Sequence, residues 1–433
     1  MRALWVALFS LSALLAACGG YAEGTAGARS ALVAGRARDA EVALTQAIEE
    51  GERAARPLLL LERAVARQRL GEHLAAARDL QEADERLEVL DYTSATAQEV
   101  SRYLFSDDSA PYRAQPFEKI LVNLLGVASR LAGGEASAAQ VEARRLQVYL
   151  SYAEERRQGS ASLDAALSAL TPLCALVRAA AFAAGGDRAA GAQAARAGGE
   201  PLELIAQRLE LPTREGAEVL VLTSAGLVPH KRGVRVPLAS ALVYMDSQGG
   251  LTPEERQRAR VIYAQGAVKW LNFVELVSER SAQPSPGLAV RSARQQGAGQ
   301  GSGQGSGQGG RAEPLASAPL DALTRQAFEL AQPKILTSAL TRLLTRAAAG
   351  AASRQLVGRA SGGIAGLLVG LATEGAMSAA DTPDTRSWTS LPARLDAYWL
   401  HLPEGDAELS WGGQTRRVAL KRGEVRVVMF PER

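Results

Sequence analysis

The chain has 433 residues, of which 47% are hydrophobic and only 5% aromatic, and its formal net charge is +3. That length gives ample core for two or three domains, and an apolar weight resting on Ala, Leu and Val favours packed helices. Acidic and basic residues are interspersed, and lysine occurs only at Lys119, Lys231, Lys269, Lys334 and Lys421, so no nucleic-acid footprint appears.

Met1-Arg2 is a short positive start, and Ala3 to Leu15 is an apolar run interrupted only by Ser10 and Ser12. That run is short of the roughly 20 apolar residues that a span requires, and it fits a secretory signal. Leu15-Ala16-Ala17-Cys18-Gly19 resembles a lipobox. Residues 1–17 are therefore expected to be a lipoprotein signal peptide, removed before Cys18, whose thiol takes a diacylglyceryl thioether. A further acyl chain, such as palmitate, goes on the new amino group. Two or more chains make anchoring stable, since each buried methylene contributes about 0.8 kcal/mol. Gly19 stands where enteric bacteria place an Asp to retain lipoproteins at the inner membrane, so the expected location is the outer membrane, facing the periplasm. With Cys18 lipidated, Cys174 has no disulfide partner, and Leu173-Cys174-Ala175-Leu176 predicts a small buried apolar residue in a helix.

Residues 18–200 predict helical hairpins joined by Gly-centred turns. The clearest unit pairs Leu58–Arg69 with Leu74–Leu90 across Leu70-Gly71-Glu72, with Leu70, Gly71, Leu74, Ala77, Leu80 and Ala83 at tetratricopeptide-like spacing. Further turns are expected at Gly133-Gly134, followed by Ala136, Ala139 and Ala143, and at Gly185-Gly186, followed by Ala189, Ala192 and Ala195. A degenerate copy surrounds Gly35 to Ala47. Between the hairpins, Ser106 to Tyr112 is polar and turn-rich and leads to a helix from about Pro116. This segment reads equally as a capped linker or as a binding loop. In the second case Asp107, Asp108 and Tyr112 are the candidate partner-binding residues, with Tyr112 as an aromatic anchor.

Residues 201–293 predict a β-hairpin, Glu218–Thr223 with Val234–Leu238, then a helix over Pro253–Leu276 capped by Thr252. Residues 294–313 contain the flexible Gly/Ser/Gln-rich linker. Residues 314–380 predict helix from Ala316, with Phe328, Ile335, Leu336, Leu340, Leu343 and Leu344 on one face. Its continuation carries Gly358, Gly362, Gly366 and Gly370, a smooth stripe suited to helix packing inside the protein, to oligomerisation or to membrane contact. Residues 381–433 predict a small antiparallel β domain with strands Ala393–Leu400, Ala407–Trp411, Gln414–Leu420 and Glu424–Phe430. The expected class is α+β: mainly tetratricopeptide-like hairpins, a β-hairpin insertion and a C-terminal β domain.

The chemistry-bearing residues are sparse. His73, His230 and His401 lie in different regions without a second ligand at metal spacing or a nucleophile beside them, and the linker glycines lack the Lys-Ser/Thr of a phosphate loop. No cofactor, metal or catalytic set is predicted, so the chain is read as a non-enzyme. The best remaining polar cluster is Asp384, Arg386 and Trp388. There Arg386 is expected to pair with Asp384 or Asp381, and Trp388 to fill a junction between the C-terminal sheet and the last helix.

Several of these segments also carry a resemblance. Asp107-Asp108-Ser109-Ala110-Pro111-Tyr112 with Phe117-Glu118-Lys119, Gly134-Glu135 leading to Val141-Glu142-Ala143-Arg144-Arg145, Gly226-Leu227-Val228-Pro229, Asn272-Phe273, Arg325-Gln326-Ala327-Phe328 with Pro333-Lys334-Ile335-Leu336, and Asp384-Thr385-Arg386-Ser387-Trp388 with Leu391-Pro392-Ala393-Arg394 and Pro403-Glu404-Gly405 are the matching stretches. On them the chain resembles a family of uncharacterised bacterial envelope lipoproteins with a tetratricopeptide-like N-terminal half, over most of the mature chain. The Gly-Ser-Gln linker departs from the family pattern. The resemblance implies an envelope lipoprotein without established enzymatic activity, similar in setting to lipoproteins that activate peptidoglycan synthases. The expected function is a lipid-anchored, non-catalytic adaptor or scaffold in envelope assembly, with an envelope protein as partner. The alternatives are an oligomeric structural component joined through Gly358 to Gly370, and a cell-wall enzyme.

Overall fold

A computed structural model describes residues 21–51, 54–92, 112–211, 215–237, 270–279, 286–292, 311–361 and 383–432, with isolated positions between 239 and 260. Cys18, Asp107, Asp108, Gly362, Gly366, Gly370, the signal segment 1–17 and the linker sequence Gln295–Gly310 lie outside the described residues. The fold is mixed α/β.

Helices fill the first half: α1 Tyr21–Val33, α2 Ala37–Glu50, α3 Arg56–Arg69, α4 His73–Tyr92, α5 Pro116–Ala132, α6 Ala136–Glu155, α7 Ala161–Ala184, α8 Arg188–Arg196 and α9 Glu203–Glu210. The expected turns are where the chain reverses. At Gly71 and Gly134 φ is +77° and +84°, a left-handed conformation that costs other residues about 1–2 kcal/mol. Each glycine closes its helix in the same way. Gly71 N donates to Gln68 O at 3.1 Å and Glu72 N to Arg67 O at 2.9 Å, while Gly134 N donates to Leu131 O at 3.0 Å and Glu135 N to Arg130 O at 2.9 Å. Gly35 and Gly186 repeat the conformation. Small residues then let the paired helices approach: Ala139, Ala143, Ala192 and Ala195 are fully buried. Helix α7 is long and apolar enough to cross a membrane, but most of that stretch is buried inside the protein, as befits a core helix.

The second half is built on two four-stranded sheets and one strand pair. The strands are β1 Ala217–Ala225, β2 His230–Pro237, β3 Trp270–Val277, β4 Leu288–Ser292, β5 Arg311–Ala312, β6 Ala316–Pro319, β7 Arg394–Leu402, β8 Gly405–Trp411, β9 Gln414–Leu420 and β10 Val425–Phe430. One sheet has the order β10-β1-β7-β6, the other β5-β4-β8-β9, and β2 pairs with β3 alone. The long helix α10 spans Leu320–Ser361.

Four expectations are corrected here. The strand holding Glu218–Thr223 does not form a hairpin with the 234–238 segment. It is central, parallel to β10 and antiparallel to β7, because its residues from Ala217 to Thr223 are buried on both faces, and a hairpin with a solvated face has no use for such a run. Trp270–Val277 is strand rather than the end of a helix, since its aromatic and β-branched residues pair along β2, with Val234 opposite Phe273. The 316–319 segment is an edge strand with alternating burial, and helix begins only after Pro319. The C-terminal strands are divided: β7 and β10 flank β1, while β8 and β9 join β4 and β5, so residues 381–433 do not form a sheet of their own.

The layers follow from that division. Leu220, Leu222, Leu395, Ala397, Val427 and Met429 face the helices in one core that runs through α5 and α7. Val219, Val221, Tyr398, Val428 and Phe430 face the second sheet, where Leu288, Leu409, Trp411 and Leu420 complete the other core. Alternate side chains of a strand point to opposite faces, so a single set of strands holds two cores together.

Candidate functional site

The segment from Asp384 to Ser390 has no regular structure, and it is bound almost entirely by the helical half. Asp384 and Arg386 form the expected pair: Nε of Arg386 donates to Oδ1 at 2.8 Å and Nη2 to Oδ2 at 3.0 Å. Burial pushes the Asp384 carboxyl up, but the hydrogen bonds and charge of Arg386 outweigh it and the group titrates below its ordinary value. Lys231 of β2 closes the loop from behind, its Nζ donating to Arg386 O at 3.0 Å. Trp388 is 1% exposed and packs in the core shared with the helices. The junction it fills thus reaches α3 and α5 as well as the C-terminal strands.

Two buried carboxylates receive this segment. Glu62 follows four buried leucines on α3, and its oxygens accept from Thr389 N at 2.6 Å, Thr389 Oγ1 at 2.9 Å and Ser390 N at 2.8 Å. Glu118 sits in the first turn of α5, where it completes a capping box with Gln115. It accepts from Gln115 N at 2.7 Å, Tyr112 OH at 2.5 Å and Trp388 N at 3.4 Å. Burial raises the pKa of both carboxyls. Arg29 of α1 offsets Glu62 and Lys231 offsets Glu118; Arg29 also donates to Thr389 O at 2.5 Å and Val228 O at 3.2 Å and pairs with Glu279 at 3.0 Å. The start of α1 joins the same seam: Ala22 N donates to Thr385 Oγ1 at 3.1 Å and Tyr21 OH to Glu62 at 3.4 Å.

Beside this seam lies a cleft of about 260 Å3. Its apolar wall is Phe117, Leu276, Ala327, Phe328, Ala331 and Ile335, and its polar side includes Tyr112, Glu118, Lys231, Lys334, Asp384 and Arg386. Helix α10 therefore gives the cleft two residues of its predicted apolar face, Phe328 and Ile335, while Leu336 and Leu340 of that face are buried against β3.

Comparison with family models, with curated proteins and with solved structures finds no match.

Tyr112 lines the cleft, but its side chain is only 5% exposed, its hydroxyl donates to Glu118, and burial holds its pKa well above the usual phenol value. Gly358 lies within α10. Glu62, Arg29 and Lys231 were not predicted. For Glu62 a signal existed, because an acidic residue embedded in Leu58-Leu59-Leu60-Leu61 on a helix buried all round must have a partner.

The histidines fall apart in space as in sequence. His401 Nδ1 lies 2.9 Å from Glu218, and His230 lies 3.7 Å from Glu279. Among the described residues no group of three or more His, Cys, Asp or Glu side chains is placed to hold a metal. Cys174 is fully buried, which pushes its thiol up to about 12. A thiol-directed reagent is expected to leave Cys174 unmodified in the native protein and to react after denaturation; mass spectrometry of the labelled chain checks this.

Proposed function

We propose that the protein is a lipid-anchored envelope component, held by lipid on Cys18 at the outer membrane and facing the periplasm, that acts as a non-catalytic adaptor in cell-envelope assembly. In this reading α1 to α8 are tetratricopeptide-like hairpins, supported by the left-handed glycines at their turns and the buried alanines between helices. The observation that carries the adaptor role is the cleft at the seam. Its carboxylates are already engaged, Glu118 by three donors and Asp384 by Arg386, so the acid groups shape the wall rather than stand ready for proton transfer. The part left open is the apolar wall with Lys334 beside it, which suits an apolar side chain of a partner segment carrying an acidic neighbour.

In this reading the tether comes close to the cleft. Helix α1 begins just after Cys18 in sequence, and its first residues are bonded to Thr385 and Glu62, so a partner in the cleft is held close to the membrane. Two measurements test the reading. Cys18→Ser is expected to remove the acyl mass and move the protein from the membrane to the soluble envelope fraction. The double variant Phe328→Glu, Ile335→Glu is expected to lose a partner that the wild type retains in membranes. Unchanged fractionation would overturn the anchor, and unchanged partner recovery would overturn the cleft.

A further inference from the structure

Helix α7 carries a buried cation that no described residue offsets. Arg178 is 7% exposed and lies among Leu176, Val177, Ala179, Ala180 and Ala181, all buried. Its Nε is enclosed without a hydrogen-bond partner, and among the described residues its guanidinium has neither ion pair nor hydrogen bond. Cys174, one helical turn earlier, is fully buried, and burial keeps its thiol neutral, so it offers no compensating charge. The buried Arg29 and Arg386 are by contrast matched, with Glu279 and Asp384. An isolated buried charge is among the costliest groups a fold can carry.

Arg178 lines a groove of about 660 Å3 between α6, α7 and α8. With Nε enclosed and no partner among the described residues, the outer nitrogens are the atoms left to meet that groove. Leu150, Leu167 and Phe182 form apolar wall, Ser151 and Gln193 offer a hydroxyl and an amide, and Thr171, whose hydroxyl donates to Leu167 O at 2.7 Å, offers an acceptor. The rim charges are committed: Arg157 donates to Glu154 at 3.2 Å, to Asp164 at 2.5 Å and to Ser168 at 3.0 Å. Arg144 stands over the Phe182 ring at 5.8 Å and adds positive field near it.

We propose that this groove is a second binding site, in which Arg178 receives the C-terminal carboxylate of a peptide ending in an apolar residue. A guanidinium presents a planar fork that a carboxylate meets with two hydrogen bonds. One buried cation matches a single negative charge; Arg144 is not among the residues that line the groove, so the second charge of a phosphate dianion would have no direct partner there. The apolar wall takes the terminal side chain, and the hydroxyl and amide groups serve peptide N–H and C=O groups that a fatty acid does not have. The choice of a peptide rests on the adaptor reading; the need for an anion rests on Arg178 alone.

Calorimetric titration of the full chain in mild detergent tests this, with N-acetyl-Ala-Leu-Phe, its C-terminal amide, octanoate and inorganic phosphate as probes. The free-acid peptide is expected to bind best, the amide roughly tenfold more weakly or worse, and Arg178→Gln to abolish the difference. Arg178→Met is expected to melt no lower than the wild type without ligand, because it removes an uncompensated charge. Equal binding of acid and amide, no binding of the acid, or tighter binding of octanoate or phosphate would overturn the proposal. So would wild-type affinity in Arg178→Gln, or a lower melting temperature for Arg178→Met. Peptide binding is expected to survive Phe328→Glu, Ile335→Glu, which separates failure of this site from failure of the cleft at the seam.

Discussion

Glu62→Ala is expected to lower stability by about 3 kcal/mol or more, because each stranded buried donor costs roughly 1–3 kcal/mol. The substitution leaves Thr389 N, Thr389 Oγ1 and Ser390 N without an acceptor inside a site where Glu62 is 2% exposed. It also removes the negative charge facing Arg29. Glu62→Gln is expected to recover only part of the loss. Both carboxylate oxygens accept from amides, so one position would then hold an NH2 group facing an N–H. Denaturant unfolding of the three proteins measures the order. Wild-type stability in Glu62→Ala would show that the seam is not held by this carboxylate.

The same carboxyl sets a pH dependence. Burial raises the folded pKa of Glu62 and Glu118 above the unfolded value, which is near 4.3 for Glu. Between those values the folded state holds more protons, so their contribution to stability grows as pH falls through the folded pKa and is complete below the unfolded one. Asp384 works in the opposite sense. Its folded pKa is depressed, so its contribution is present above the unfolded value and is lost as pH falls through the folded one. Acidification from neutral pH is therefore expected to stabilise the wild type more than Glu62→Ala before the loss of Asp384 sets in. Melting curves across that range check the sign.

Trp388→Ala is expected to cost about 3–5 kcal/mol, the range for emptying a large buried aromatic site. Trp388 is among the largest fully buried side chains and lies where the helical core meets the strands. Its Nε1 is enclosed without an acceptor among the described residues, so the indole acts there through volume rather than through a hydrogen bond. Trp388→Phe gives up no bond and removes a desolvated donor, and it is expected to retain most of the stability. A phenylalanine variant as damaged as the alanine one would show that the indole nitrogen has a role that packing does not describe.

What could be read from the chain follows the range of the interactions involved. The hairpin turns were legible because a left-handed glycine with small residues after it is a local arrangement, and Gly71, Gly134 and Gly186 turn the chain where expected. The C-terminal strands were legible for the same reason, since β7 to β10 are separated by turn signals. Their partners were not. Pairing of β1 with β10 and β7 joins positions about two hundred residues apart, and local periodicity holds no record of that. The pairing of Arg386 with Asp384 is an i, i−2 contact and could be foreseen, whereas the acceptors of Thr389 and Ser390 lie on α3, and only a glutamate in a leucine run hints at them. That Tyr112 is largely buried and serves Glu118 in the cap of α5 could not be read from its polar, turn-rich neighbours, because the contact depends on how the chain enters the helix.

The central claim is that the cleft beside the seam receives a protein partner. A photoreactive phenylalanine analogue placed at Ile335, in the cleft wall, and separately at Leu204, which is 75% exposed on α9, tests it most directly in intact cells. A discrete protein adduct from position 335 and none of the same mass from position 204 is the predicted result. No adduct from 335, or the same adducts from both positions, would contradict the account.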